Sequence, residues 1–266
     1  DDGTVVISRK VLPGQNIRKA GADIPRGGLV LPAGTLLRPQ ELGVLASLGK
    51  EFVQVARRPA VAILTTGSEL VDLRRPLPPG KIRNSNLYVL AALVAEAGGE
   101  VRQLGIATDD PTALAAKIAE GLRADLLITS GGVSVGKFDL VGKLLLEAGV
   151  TMHVSKVNIK PGMPLHFGTF GATAVFGLPG NPVSSMVTFL QFVRPAIDRM
   201  LGRTPVSLPL RARVEHDIVK VDGKRHYLRG VLGQRAGVLT VRSTGSQVSN
   251  VLTSLARANC LIILPE

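Results

Sequence analysis

A chain of 266 residues with 45% hydrophobic content can bury a large core, which excludes a disordered protein. Aromatics make up only 3% and Trp is absent, so the core must be aliphatic, which weakens any reading based on base stacking. The net charge of +12 asks for anionic company, but Arg and Lys are scattered through apolar-patterned segments, which favours an anionic substrate or simple solubility over DNA binding.

Residues 1–56 read as a small β/α piece. Val5-Val6-Ile7 and Gly28-Leu29-Val30-Leu31 are predicted strands, and Arg38 to Leu48 has helical spacing ending at Gly49. From Pro59 the pattern alternates. Ala60–Leu64 is a strand, Ser85–Ala97 a helix stopped by Gly98-Gly99, and Val101–Ile106 a strand. Pro111–Leu122 is a helix with Pro at its start, Leu126–Ile128 a strand, and Phe138–Ala148 a helix ending at Gly149. Met152–Ile159 is a fourth strand, Leu165–Phe167 and Thr173–Phe176 a hairpin, and Val183–Leu201 a long helix. After Gly202 the chain turns β again, at Leu210–Val214, Tyr227–Leu232, Val238–Val241 and Leu261–Leu264. The expected class is α/β, a mostly parallel sheet with helices on both faces, flanked by the N-terminal piece and a small C-terminal β-domain. The boundaries fall at 1–56, 57–205 and 206–266.

Ligands of such sheets bind at the carboxyl ends of the strands. Four loops are expected there: Thr65-Thr66-Gly67-Ser68-Glu69-Leu70, Ser130 to Gly136, Lys160-Pro161-Gly162-Met163-Pro164, and Gly177 to Ser184. Ser130, Gly131, Gly132, Ser134 and Gly136 suit an anion, because glycines let backbone N–H groups approach and serines add hydroxyl donors. In Gly180-Asn181-Pro182, Asn181 is a natural N-cap, and the rigid entry before it suggests a second anion cradle. Lys160 can direct an ammonium into the cleft, although a solvated edge lysine is the plainer reading. Glu69 and Asp139 are the acids beside these loops, and two carboxylates near phosphate-binding glycines suggest Mg²⁺. For Asp139 a helix-dipole role explains the position equally well. The four histidines lack ligand spacing and read as structural or surface residues. Cys260 reads as a small buried hydrophobe. Neither a membrane span nor a signal peptide is visible, so the expected location is cytoplasmic. The start at Asp1-Asp2-Gly3, without Met, reads as a fragment of a longer protein.

Taken in order, these loops resemble the molybdenum insertase family, that of bacterial MoeA and the gephyrin E-domain. Gly80-Lys81-Ile82-Arg83-Asn84-Ser85-Asn86, Thr244–Ser249 and Ser254–Asn259 extend the resemblance over essentially the whole chain. The resemblance implies insertion of molybdate into adenylated molybdopterin, with a divalent cation (Mg²⁺) and release of AMP. It implies that Ser130, Gly131, Gly132, Ser134 and Gly136 hold the pterin phosphate region, with Thr66, Gly67, Gly180 and Asn181 also binding substrate. Asp139 and Glu69 would be the sensitive acids, Asp139 the better Mg²⁺ ligand. Lys160, Pro161 and Ser184 would form the molybdate pocket, completed by Arg229 and Ser249. Lys137 and Met163 stand where many relatives carry Glu and Lys. A homodimer in the full-length protein and the molybdopterin adenylyltransferase are the implied partners. Relatives complete the site across the dimer with an upstream domain bearing an Ala-Met-Asp-Gly-Tyr-Ala type segment, so these residues alone are expected to bind without efficient turnover. The alternatives are an adenylyltransferase-like enzyme, which the flanking β pieces oppose, and a non-catalytic scaffold of the gephyrin E-domain type.

Overall fold

The computed structural model describes residues 2–108, 110–132, 140–204 and 209–266. Contacts divide the chain into two units, Asp1–Val53 and Gln54–Glu266. In the first, helix α1 (Pro39–Ser47) has Pro at its start, and Glu41 accepts the Arg38 backbone N–H at 2.9 Å, closing the first turn. The strands expected at Val5–Ile7 and Gly28–Leu31 are not formed. Their apolar runs have no ladder partner among the described residues, and β-propensity alone does not make a strand.

The second unit carries strands β1 (Ala60–Thr66), β2 (Leu70–Val71) and β3 (Ile82–Arg83), helix α2 (Ser85–Ala97), β4 (Glu100–Ala107), α3 (Pro111–Gly121), β5 (Leu126–Ser130) and α4 (Leu140–Glu147). There follow β6 (Thr151–Lys156), β7 (Ile159–Lys160), β8 (Pro164–Phe170), β9 (Thr173–Leu178) and α5 (Pro182–Thr188). A π-helical turn, Phe189–Val193, leads into α6 (Arg194–Met200). Strands β10 (Arg213–Val214), β11 (Arg225–Arg235) and β12 (Val238–Ser243), helix α7 (Thr253–Ala256) and β13 (Cys260–Leu264) complete it.

The central sheet has the order β4-β1-β5-β9-β8-β6. Strands β4, β1, β5 and β9 run parallel, and only β8 opposes the rest. Alternation along the fully buried β1 serves both faces. Ala60, Ala62 and Leu64 pack with Leu114 and Ile118 of α3 and Leu145 of α4, while Val61 and Ile63 pack with Leu90 and Val94 of α2 and with Phe189 and Val193. The chain leaves β1 toward β4 with α2 on one face, then returns past β1 to β5 with α3 on the other. That reversal makes the carboxyl ends of β1 and β5 the topological switch point.

Two further elements of the second unit differ from expectation. The long helix is interrupted, because Pro195 can offer no N–H and its ring crowds the preceding turn; the π turn takes up the change of register. The strand expected over Met152–Ile159 ends at Lys156, at the far edge beside β8. Ile159–Lys160 form a separate strand that pairs with β11 in the C-terminal sheet, of order β10-β12-β11-β13. No helix of the described residues is long and apolar enough to cross a membrane.

Candidate functional site

Register brings three loops side by side at the switch point. Thr65 lies opposite Ser130 across β1 and β5, and Ser130 lies opposite Leu178 across β5 and β9. The segments after these residues therefore leave the sheet at one level and wall a cleft of about 850 Å³. Thr66, Gly67 and Glu69 line it from the first loop, Ser130, Gly131 and Gly132 from the second, and Gly180 and Asn181 from the third.

Two glycines are sterically required. Gly131 has φ +94°, and a Cβ there would lie 2.4 Å from the Thr66 carbonyl oxygen. Gly132 has φ +67°, and its Cβ would lie 2.4 Å from Val141 Cγ2. Side chains at either position would force the first loop or α4 away. The Gly131 N–H donates to the Leu178 carbonyl at 3.1 Å, tying the second loop to the third.

Asn86 completes the tie. Its amide nitrogen donates to Ser130 Oγ at 2.9 Å and to the Gly180 carbonyl at 2.7 Å, so one side chain at the start of α2 holds two loops. Its neighbour Asn84 caps the same helix, accepting the Leu87 N–H, and donates to Thr65 Oγ1 at 2.8 Å. In the sequence both residues stand in the Gly80–Asn86 motif with no role evident for either. The available signal was the repeat Asn84-Ser85-Asn86, since a helix needs only one N-cap.

The cleft has unspent polar capacity. Thr66 Oγ1 is buried at its wall without a hydrogen-bond partner among the described residues, and such orphans are rare enough to need a reason. Asn181 stands at the N-cap of α5, but its side chain makes no cap bond and faces the cleft as a lining residue. Among the described lining residues the charges are Glu69 and Arg83. Arg83 is occupied with the Asp72 carbonyl at 2.7 Å and the Arg75 carbonyl, so it braces the 72–75 loop. Ser134, Gly136 and Asp139 lie outside the described residues, as does Lys137.

The remaining predicted residues form a second group beside the cleft. Gly162, which follows a cis Lys160–Pro161 bond, lies against Thr188 and the Ser184 carbonyl of α5. The Val183 N–H donates to the Ser249 carbonyl at 3.2 Å. Arg229, fully buried, holds that loop through the carbonyls of Ser246 at 3.2 Å and Val248 at 3.1 Å and through Ser254 Oγ at 3.0 Å. Its Nη1 has no partner among the described residues, and burial lowers the pKa of the guanidinium. Lys160 departs from expectation. It does not line the cleft; its ammonium pairs with Asp222 at 3.2 Å, because β7 belongs to the C-terminal sheet. Among the described residues no three His, Cys, Asp or Glu side chains cluster as a metal site. Glu69 alone among the described residues puts a carboxylate on the cleft wall, and one carboxylate can serve a Mg²⁺ ion bound chiefly by substrate oxygens.

Residues 62–199 match the family model described as a probable molybdopterin binding domain. Residues 211–266 match the MoeA C-terminal region (domain IV), and residues 1–49 the MoeA N-terminal region (domains I and II). Over 272 residues the chain is 41% identical to the molybdopterin molybdenumtransferase of Nostoc sp., covering 100% of this chain and 62% of that protein. It is 38% identical to the Haemophilus influenzae molybdopterin molybdenumtransferase, covering 100% of this chain and 67% of the relative. The crystal structure of a molybdopterin biosynthesis MoeA protein from Pyrococcus horikoshii superposes with a TM-score of 0.81 at 31% identity, over 92% of this chain and 60% of that one.

Proposed function

The chain belongs to the molybdopterin molybdenumtransferase family, and from that premise we propose that it serves the molybdate-insertion step of molybdenum cofactor synthesis, with adenylated molybdopterin and molybdate as substrates and AMP as product. The observation that carries this reading is the meeting of three polar, glycine-shaped loops at the switch point, with the orphaned Thr66 hydroxyl among them.

In this reading the phosphate end of the substrate lies against Ser130, Gly131 and Gly132, with Ser134 and Gly136 completing the loop. Thr66, Gly67, Gly180 and Asn181 face it from the other two walls. Among the described lining residues the donors left for charge recognition are neutral, since the Arg83 guanidinium is already engaged. Molybdate belongs to the second group. The Val183 N–H, next to Ser184, meets the Ser249 carbonyl, and Arg229 Nη1 is buried without a partner among the described residues, so an oxyanion there would satisfy it. Gly162, just after Lys160 and Pro161, lies against the Ser184 carbonyl, and in this reading the Lys160 side chain swings from Asp222 to reach the oxyanion.

Asp139, with Glu69 on the wall, would hold Mg²⁺, which when bound offsets phosphate charge. The protein's own part is positional: it holds two anions on rigid loops so that the dithiolene meets molybdate while the adenylate leaves. Division at residues 56/57 and 205/206, a homodimer in the full-length protein, the adenylyltransferase as partner and a cytoplasmic location belong to the same proposal. The match of residues 211–266 to a MoeA C-terminal region counts against a stand-alone adenylyltransferase.

Calorimetry with adenylated molybdopterin tests the reading. The wild-type chain is expected to bind and Gly132→Val to lose affinity strongly, because the new side chain meets Val141. A folded Gly132→Val protein with unchanged affinity would remove this loop from the site.

A further inference from the structure

We propose that Asp222 is an internal competitor for the Lys160 ammonium, holding it on the C-terminal sheet until an oxyanion draws it away. This rests on the reading of Lys160 as an oxyanion ligand and concerns the regulation of that same site.

The short strand β7 is a seam. It leaves the central sheet after β6, pairs with β11 and returns to β8, and its register sets Lys160 opposite His226. Asp222 lies in the turn just before β11, and its two carboxylate oxygens are treated unequally. Oδ1 accepts from the His226 ring at 2.6 Å and from the Lys224 backbone N–H at 3.2 Å, and the Lys220 ammonium grips the Asp222 carbonyl at 2.7 Å. Oδ2 takes Lys160 at 3.2 Å.

The partners differ in permanence. The His226 side chain is 7% exposed, whereas that of Lys160 is 56% exposed. A buried, hydrogen-bonded anchor fixes the carboxylate in place; it stays ionised because His226, first, and then the Lys224 N–H hold its pKa well below the usual carboxylate range. The lysine end is a solvent-exposed ion pair, a class worth little, on a flexible four-carbon stem that can swing. An oxyanion offering short charge-assisted hydrogen bonds beside Ser184 can outbid such a pair. The carboxylate thus mimics the oxyanion, keeps the ammonium near the seam, and sets a threshold that the true ligand must exceed.

Inorganic molybdate titrated into the wild-type chain, Asp222→Asn, Lys160→Ala and the double variant tests this. Asp222→Asn is expected to tighten molybdate about two- to fivefold, the scale of an exposed pair removed as competitor, and the gain should vanish without Lys160. Unchanged or weaker binding by folded Asp222→Asn, or a gain that persists in the double variant, overturns the competitor. Lys160→Ala with wild-type affinity would instead overturn the reading beneath it. A second measurement needs no variant at Asp222. The ¹⁵N resonance of the Lys160 ammonium should shift as molybdate saturates the wild-type chain, and a resonance that does not move contradicts the exchange.

Discussion

The two ends of the central sheet are built on opposite principles. At the amino end the polar groups satisfy one another. Asp125 accepts the Ala60 N–H at 2.7 Å and grips both terminal nitrogens of Arg57, and its own N–H and carbonyl bond Ala60 and Ala174. Thr173 Oγ1 donates to the carbonyls of Leu122 and Ala124. At the carboxyl end β1 and β5 run into positive-φ glycines, β9 into an Asn at an N-cap that does not cap, and Thr66 Oγ1 is buried without a partner among the described residues. One end closes the fold. The other leaves local rules unmet, which is where a ligand is expected to supply what is missing.

The sharpest way to break this comparison is Gly131→Val. Its Cβ would press on the Thr66 carbonyl and part the first two loops. Calorimetry should show affinity for adenylated molybdopterin reduced by at least about tenfold, roughly 1.4 kcal/mol of lost contact with the two loops. Urea unfolding should register strain of about 1–3 kcal/mol. Thr66→Val is a finer probe, since it keeps the shape and removes the orphaned hydroxyl. Stability should rise by about 1 kcal/mol while affinity falls about three- to tenfold, a trade that chemical denaturation and calorimetry would reveal together.

Asp125→Asn addresses the amino end. Affinity should be unchanged, and stability at neutral pH should fall by about 1 kcal/mol, a figure reduced for the exposure of Arg57. Arg57, first, and the Ala60 N–H lower the Asp125 carboxyl to about 2. Its contribution is therefore full above the unfolded value of about 3.9 and fades as pH falls from about 4 to about 2. Denaturation curves of wild type and variant should converge over that window. A gap that widens on acidification would contradict the assignment.

Local signals made the central architecture legible. Asn84 before an apolar period and Gly98-Gly99 after it delimit α2, and Asp110-Pro111 opens α3 with its carboxylate on the Ala113 N–H. The loops after β1, β5 and β9 were legible too, because glycines and serines at strand ends have few other uses. What escaped were facts of pairing. Nothing near Val5 or Leu29 shows that a partner strand is lacking, and nothing near Lys160 shows that it joins β11 and meets Asp222, 62 residues on. Asn86 escaped for a similar reason, as its two acceptors lie 44 and 94 residues away. Arg229 and Ser249 reached the candidate site by resemblance alone, and the structure then supplied their connection through the carbonyls of the 246–249 loop.

On the proposed function, the carboxyl edge of this sheet receives the ligand and the amino edge does not. Amide hydrogen exchange of the chain with and without adenylated molybdopterin tests it most directly. Protection should appear in peptides spanning Thr66–Glu69, Ser130–Gly132 and Gly180–Ser184, while those spanning Asp125 and Thr173 exchange as before. Protection confined to the amino edge or to the C-terminal sheet, with these three loops unchanged, would contradict the account.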